Sequence, residues 1–230
     1  MSFGSNTKFP NLYQQISISL DPDSTQMNVA LEPEKVTTYE ISSTLSRELK
    51  QSYPVTGWEI SANLFHNVYV NKLRAFNTLG IPITLYDNVG SAKIVGIEAK
   101  GEIFMFQKKL SCDAGIAKYF ISDKSAFPFK SDLKRTLNVM LNHAGYSFLL
   151  HWFLESEQIG WIRNFDNRLL AVTLESYSNL DFHLKKSISL WKVKCFLNFS
   201  GRNILKKESD VLRGIAVRDR RFYISFGAQI

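Results

Sequence analysis

A β-rich α+β fold, an antiparallel sandwich or barrel with two or three flanking helices, is what three observations in this sequence predict. Apolar and polar residues alternate over many short runs, turn signals separate those runs at short and regular spacing, and helix-period patterning is confined to two segments. Aromatic residues make up 13% of the 230, with seventeen Phe, and Phe and Tyr favour strands.

Residues 1–57 read as an N-terminal arm. Ile16, Ile18 and Leu20 alternate with serines as a half-buried strand does, and Met27, Val29 and Leu31 repeat the pattern. Over residues 38–53, Ile41, Leu45 and Leu49 recur every four residues, which predicts an amphipathic helix stopped by Pro54. Residues 58–184 read as a β-rich core. Trp58, Ile60 and Ala62 alternate, then Val68 and Val70, and runs follow at 81–86, 92–97 and 103–106. Turns are expected at 77–80, 87–90 and 100–101. Residues 131–143 predict a second helix, with Ser131 or Asp132 as its cap, Leu133, Leu137, Met140 and Leu141 as its apolar face, and Gly145 ending it. Strand character returns at 148–154, 161–163 and 169–174.

Residues 185–230 form the third unit, and the charge of the chain is concentrated there. Residues 185–221 hold eleven Lys or Arg against three acids, a net of +8, while the preceding 184 residues carry a net of −1. Such asymmetry points to an anionic partner. Apolar groups interleave with the charges, so the segment reads as folded with a basic face rather than as a solvated tail. Lys185, Lys186, Lys192, Lys194, Arg202, Lys206, Lys207, Arg213, Arg218, Arg220 and Arg221, with Tyr223 as a stacking ring, are the candidate nucleic-acid-binding residues. On a strand, Lys192 and Lys194 share one face and Trp191 and Val193 the other, which predicts Trp191 in the core.

Other chemistry is sparse. No phosphate loop, dinucleotide fingerprint, nucleophile elbow or paired-histidine metal helix is present, so neither an enzyme nor a cofactor is expected. His66, His143, His151 and His183 lack metal-like spacing, and Glu155 and Glu157 read as a solvated strand end. Cys112 and Cys195 read as reduced thiols. The longest apolar run, residues 148–154, falls short of the ~20 residues a membrane helix needs. The first eight residues lack an apolar signal core. A cytosolic protein is therefore expected, with any membrane contact peripheral.

From residue 65 to 119 the chain resembles the thirty-kilodalton superfamily of plant-virus movement proteins. The matching residues are His66 and Val70, Gly80, the run 83–86 ending at Asp87, residues 94–97, and Gly101 with Phe104 and Phe106. Residues 138–150 follow with Gly145. The resemblance implies a jelly-roll-like core with Asp87, Gly101 and Gly145 in structural roles. It also implies non-specific binding of single-stranded nucleic acid, viral RNA above all, with self-association, contact with a viral nucleoprotein, and action in the host cytoplasm and at plasmodesmata. The alternative for the same basic surface is a matrix-type viral protein linking nucleoprotein to membrane, and a third class is a nuclease with a dispersed site.

Overall fold

The computed structural model describes residues 1–19, 30–50, 53–78, 81–164, 166, 168–191, 193–205, 209–212, 215–217 and 220–229. In chain order the elements are β1 (Ser2–Lys8), α1 (Leu12–Ser19), β2 (Glu34–Glu48), β3 (Val55–Thr78), β4 (Ile81–Met105), β5 (Leu110–Ile121), β6 (Leu133–His143), β7 (Tyr146–Glu155), β8 (Gln158–Arg163), β9 (Leu169–Leu174), β10 (Tyr177–Leu190), β11 (Val193–Arg202), β12 (Ser209–Leu212), β13 (Ile215–Val217) and β14 (Arg221–Gln229). Ten of the strands make one path, β1-β2-β3-β4-β5-β6-β7-β10-β11-β14, each antiparallel to the next. The β8–β9 hairpin joins this sheet by a short parallel contact with the end of β3, and β12–β13 pair separately.

This is an up-and-down meander rather than a jelly roll with flanking helices. The two expected helices are strands: residues 38–48 belong to β2, and residues 133–143 are β6. The reason is arithmetic. A spacing of four is also twice the strand period, so Ile41 and Leu45, and Leu133, Leu137 and Leu141, line one face of a strand as readily as one face of a helix. The positions between them, Ser43, Arg135 and Val139, share that face. The 87–90 turn is likewise absent, because β4 runs unbroken through Asp87. Conversely, Ile16 lies on α1, not on a strand. Asn11 and Gln14 begin that helix by exchanging bonds: the Asn11 side chain accepts from the Gln14 amide, and the Gln14 side chain accepts from the Asn11 amide. The run through Met27 and Val29 lies outside the described residues, and Leu31 is buried outside any strand.

Register divides the sheet into two unlike faces. One set of pairs carries Ile41, Leu64, Ile97; Leu45, Ile60; Ala114, Leu137, Trp152, Leu180; and Val139, Leu150, Phe182, Phe222. Many of these residues are exposed, with Ile60 at 53%, Leu64 at 49% and Phe222 at 57%. The opposite set carries Glu59, Asn63, Glu98, Glu102, Asp113, Asn138, His151, Asp181 and Lys194. We call the apolar face outward and the polar face inward.

Residues 49–54, 106–109, 144–145 and 191–192 join strands at one end, whereas the long connections 9–33, 122–132, 156–176 and 203–220 lie at the other, where residues 79–80 alone join β3 to β4. β3 and β4, 24 and 25 residues long, extend furthest toward the long-connection end. Along the hydrogen-bonded row Trp58, Ile103, Cys112, Val139, Leu150, Phe182 and Gly201, the tight turns recede steadily. At their tight turns, β2 and β3 make their last pair one residue past the row, at Glu48 and Gly57, and β10 and β11 make theirs eight residues past it, at Leu190 and Val193. A drift of ~7 residues at ~3.3 Å, over ~6 strand spacings of ~4.8 Å, corresponds to a lean of about 40°, the tilt that closing a sheet into a barrel requires.

The buried apolar residues collect at the long-connection end. Ala92, Ile94, Ala126 and Phe127 form a cluster joined by Phe65, Tyr69, Val89, Tyr119 and Ile121, and Leu73, Phe76, Leu85 and Ile162 are also buried. Phe65 reaches this cluster by lying flat across Gly96, its direct partner on β4. A Cβ at residue 96 would collide with that ring. Gly96→Ala is therefore expected to cost about 1–3 kcal/mol as overpacking. Thermal or urea unfolding checks this, and Gly101→Ala, where a Cβ meets nothing within 4 Å, serves as the quiet control.

Candidate functional site on the inner wall

Backbone pairing alone aligns Glu59, Glu102, Asp113, Asn138, His151 and Asp181 as one row across β3, β4, β5, β6, β7 and β10. Their side chains connect. Lys100 Nζ lies 3.6 Å from Glu102 and 3.5 Å from Asp113. Asn138 donates to Asp113 (2.9 Å), and its carbonyl oxygen faces His151 Nδ1. Asp181 accepts from the Asn179 side chain and the Asn203 amide, at 2.8 and 2.9 Å. Nearer the long connections, Glu155 binds Lys134 at 2.7 Å and accepts from Gln158 at 2.9 Å. The row is a polar, acid-rich wall. It is not a metal centre: among the described residues no group of three or more His, Cys, Asp or Glu is placed to hold a metal ion.

Above this row the inner surface becomes aromatic and cationic. The 122–132 connection folds inward and sets Phe127 edge-on to Tyr69, with centroids 5.1 Å apart. Lys72 stands 5.5 Å from both rings and is held by Glu34 at 2.7 Å. Lys130 lies 4.3 Å from the Tyr119 ring, while the Tyr119 hydroxyl donates to Glu98. Burial holds the Lys130 ammonium below the ordinary lysine value, and nearby Lys134 adds to the effect. Arg74 donates to both carboxylate oxygens of Asp87, through Nε and Nη2, and Arg163 lies 4.5 Å over Phe76. This end of the inner wall presents rings and cations to whatever enters.

The sequence-derived candidates do not converge on one face. Lys185, Lys194, Arg202, Arg221 and Tyr223 point inward, whereas Lys186 points outward, where its ammonium donates to the Ala144 carbonyl and sits 3.6 Å over Tyr146. Lys185 covers Phe196 and Arg202 faces Tyr223. Arg220 is exposed just before β14. Lys192, Lys206, Lys207, Arg213 and Arg218 lie outside the described residues. Trp191, expected in the core, is fully exposed at the β10–β11 turn. Gly145, with φ of +78°, sits in the two-residue β6–β7 turn, where both central residues have positive φ. Gly101 pairs with Ile60 inside β4. Both cysteines are unpaired and half-buried. A strand's alternation alone separates neighbouring cations onto opposite faces. The inner row was also missed: its members lie far apart in sequence, and only the register unites them.

A leaning antiparallel meander, apolar outside and polar inside, with tight turns at one end and long connections at the other, defines the wall of a membrane β-barrel. Residues 1–197 match a family model described as TonB dependent receptor-like, beta-barrel, and the chain belongs to that family. Three solved structures share its fold. The copper transporter OprC is 15% identical with a TM-score of 0.66, the match covering 96% of this chain and 35% of that one. The pyoverdine outer membrane receptor FpvA from Pseudomonas aeruginosa PAO1, bound to pyoverdine, is 16% identical with a TM-score of 0.63, covering 98% and 32%. The FrpB iron transporter from Neisseria meningitidis is 10% identical with a TM-score of 0.57, covering 86% and 31%. The chain thus spans about a third of the length of these proteins. No curated protein sequence matches it.

These findings overturn the resemblance to plant-virus movement proteins and what it implied. Viral movement, the matrix alternative, single-stranded RNA and nucleoprotein as partners, and the host cytoplasm and plasmodesmata as locations all fall with it. No helix among the described residues is long and apolar enough to cross a membrane. A ~20-residue apolar run is the requirement of a membrane helix, whereas a tilted strand spans with about 9–11 residues, and β7 has 10.

Asp132, at the end of the 122–132 connection, accepts from the Ser156 hydroxyl at 2.8 Å and lies 3.3 Å from Lys118 and 3.6 Å from Lys124. The Ser156 bond, aided by Lys118 and Lys124, holds its carboxyl below the usual aspartate range. Because the folded value is the lower one, this contribution is complete above the ordinary aspartate pKa and fades as pH falls through the lowered value. An NMR titration of the Asp132 carboxyl carbon should therefore give a midpoint below that of free aspartate, and Ser156→Ala should raise it. An unmoved midpoint would contradict the assignment.

Proposed function

We propose that this chain is part of the wall of an outer-membrane receptor that imports a metal-bearing solute, and that its role is transport rather than catalysis. The observation that carries this is the division of the sheet: the strands of the ten-strand path are apolar outside between two charged margins, and polar inside. Backbone groups at the β1 and β14 edges would be unsatisfied in hydrocarbon, so further strands close the barrel. The long connections lie outside the cell and the tight turns face the periplasm, as in barrels of this kind. Solutes meet the aromatic and cationic upper wall first, around Tyr69, Phe127, Tyr119 and Lys130. They then pass the acid-rich row from Glu59 to Asp181. The structural neighbours described as copper and iron transporters and as a pyoverdine receptor support the choice of solute class.

Two measurements test the reading. Val139→Lys, outward and near mid-height, should destabilise the protein in bilayers by about 2–4 kcal/mol, whereas Thr136→Lys, inward on the same strand, should cost far less. Equal costs would remove the membrane-facing surface. Cells lacking the protein, or lacking TonB, should accumulate less radioactive iron supplied as a ferric siderophore chelate, or less copper. Unchanged uptake of both would overturn the transport role.

A further inference from the structure

No Asp or Glu occupies an outward position of β5, β6, β7, β10, β11 or β14, so every charge on that part of the face is basic. Most of it gathers at the margin nearest the long connections. From the tight turn, the outward column of β5 reads Leu110, Cys112, Ala114, Ile116 and then Lys118. That of β6 reads Leu141, Val139, Leu137 and then Arg135. Lys118 pairs directly with Leu133, and Arg135 with Ile116, so the two cations are diagonal neighbours about 7 Å apart on one face. Lys93 stands further along β4, its backbone bonded to Ser122, and Lys124 follows in the same connection. All four side chains are solvent-accessible. Asp132 is shared between Lys118 and Lys124, and neither Lys93 nor Arg135 has an ion pair among the described residues.

We propose that Lys93, Lys118, Lys124 and Arg135 form a binding site for a membrane lipid whose headgroup carries two or more phosphates. The proposal rests on the outward face being the membrane face. Among the described residues only Asp132 is ion-paired with any of these four cations, and the charge left over calls for more than one negative group, which a zwitterionic headgroup cannot supply. Arg135 offers a planar fork that grips phosphate oxygens two at a time, and the lysines act as point charges around it. The apolar columns below, Ile116, Leu137 and Trp152, run where the lipid's acyl chains would lie. A soluble anion would use the cations and ignore those columns.

The test uses the protein purified in neutral detergent. It is titrated with a bisphosphorylated acylated disaccharide lipid, the monophosphorylated form, phosphatidylethanolamine and inorganic pyrophosphate. The bisphosphorylated lipid should bind tightest. Lys118→Gln with Arg135→Gln should weaken it roughly thirtyfold, about fivefold per charge, while the protein still resists unfolding in cold dodecyl sulfate. Lys109→Gln, at the tight-turn end, should change nothing. If the double variant fails to fold, Lys93→Gln with Lys124→Gln, set beyond the apolar columns, carries the same expectation. Wild-type affinity in a folded double variant, equal loss in Lys109→Gln, or pyrophosphate binding as tightly as the lipid would each overturn the site. A protein that imports normally without lipid preference loses this inference alone; one that prefers the lipid but imports nothing loses the transport role alone.

Discussion

Hydrocarbon offers no hydrogen bonds, and that one constraint organises this chain. Each amide and carbonyl crossing a membrane must find its partner within the protein, so a sheet can cross only with every strand paired on both sides. The sheet here obeys this along its path through eight successive strands from β2 to β11. The backbone being settled by neighbours in sequence, side chains are left to sort by a period of two. In the proposed barrel wall the outward positions meet lipid and the inward positions meet water. The customary arrangement of a globular core is inverted over the span, and ordinary packing reappears only beyond it, around Phe76, Leu85 and Phe127.

Charge follows the same division. Carboxylates of the span face inward, where Lys100, Asn138 and Asn179 bind them, so their solvation is shared between protein and water. Lysines and arginines occur on both faces because their long stems let the charged end reach the membrane margin while the methylenes stay in the apolar layer. Lys186 shows this at the tight-turn margin by reaching the Ala144 carbonyl over the Tyr146 ring. An acid has no comparable reach. Its exclusion from the outward face of the later strands is a physical consequence of the site, as is the accumulation of basic groups at the margins.

Much of the strand content was legible, since alternation at Trp58, Ile60 and Ala62 or along 148–154 needs no tertiary information. What those strands build was not. Leu133, Leu137 and Leu141 satisfy helix and strand spacing alike, and only the pairing with β5 and β7 decides between them. The basic C-terminal stretch looked like one surface because sequence lists Lys185 and Lys186 side by side, yet the pleat sends them to opposite sides of the wall. A soluble β protein and a membrane barrel both alternate; they differ in which set faces water, and composition does not say. The inner row from Glu59 to Asp181 spans more than half the chain, so nothing short of the register could reveal it.

Collision accessibility along β6 tests the central claim most directly. In a protein with Cys112 and Cys195 replaced by serine, single cysteines at residues 133–141 are spin-labelled and the protein is placed in a bilayer. Oxygen, which partitions into lipid, should collide most with labels at Leu137, Val139 and Leu141, and a water-soluble nickel chelate with those at Thr136, Asn138 and Met140, in strict alternation. Labels that meet the nickel chelate equally at odd and even positions would show that neither face of the sheet lies against lipid.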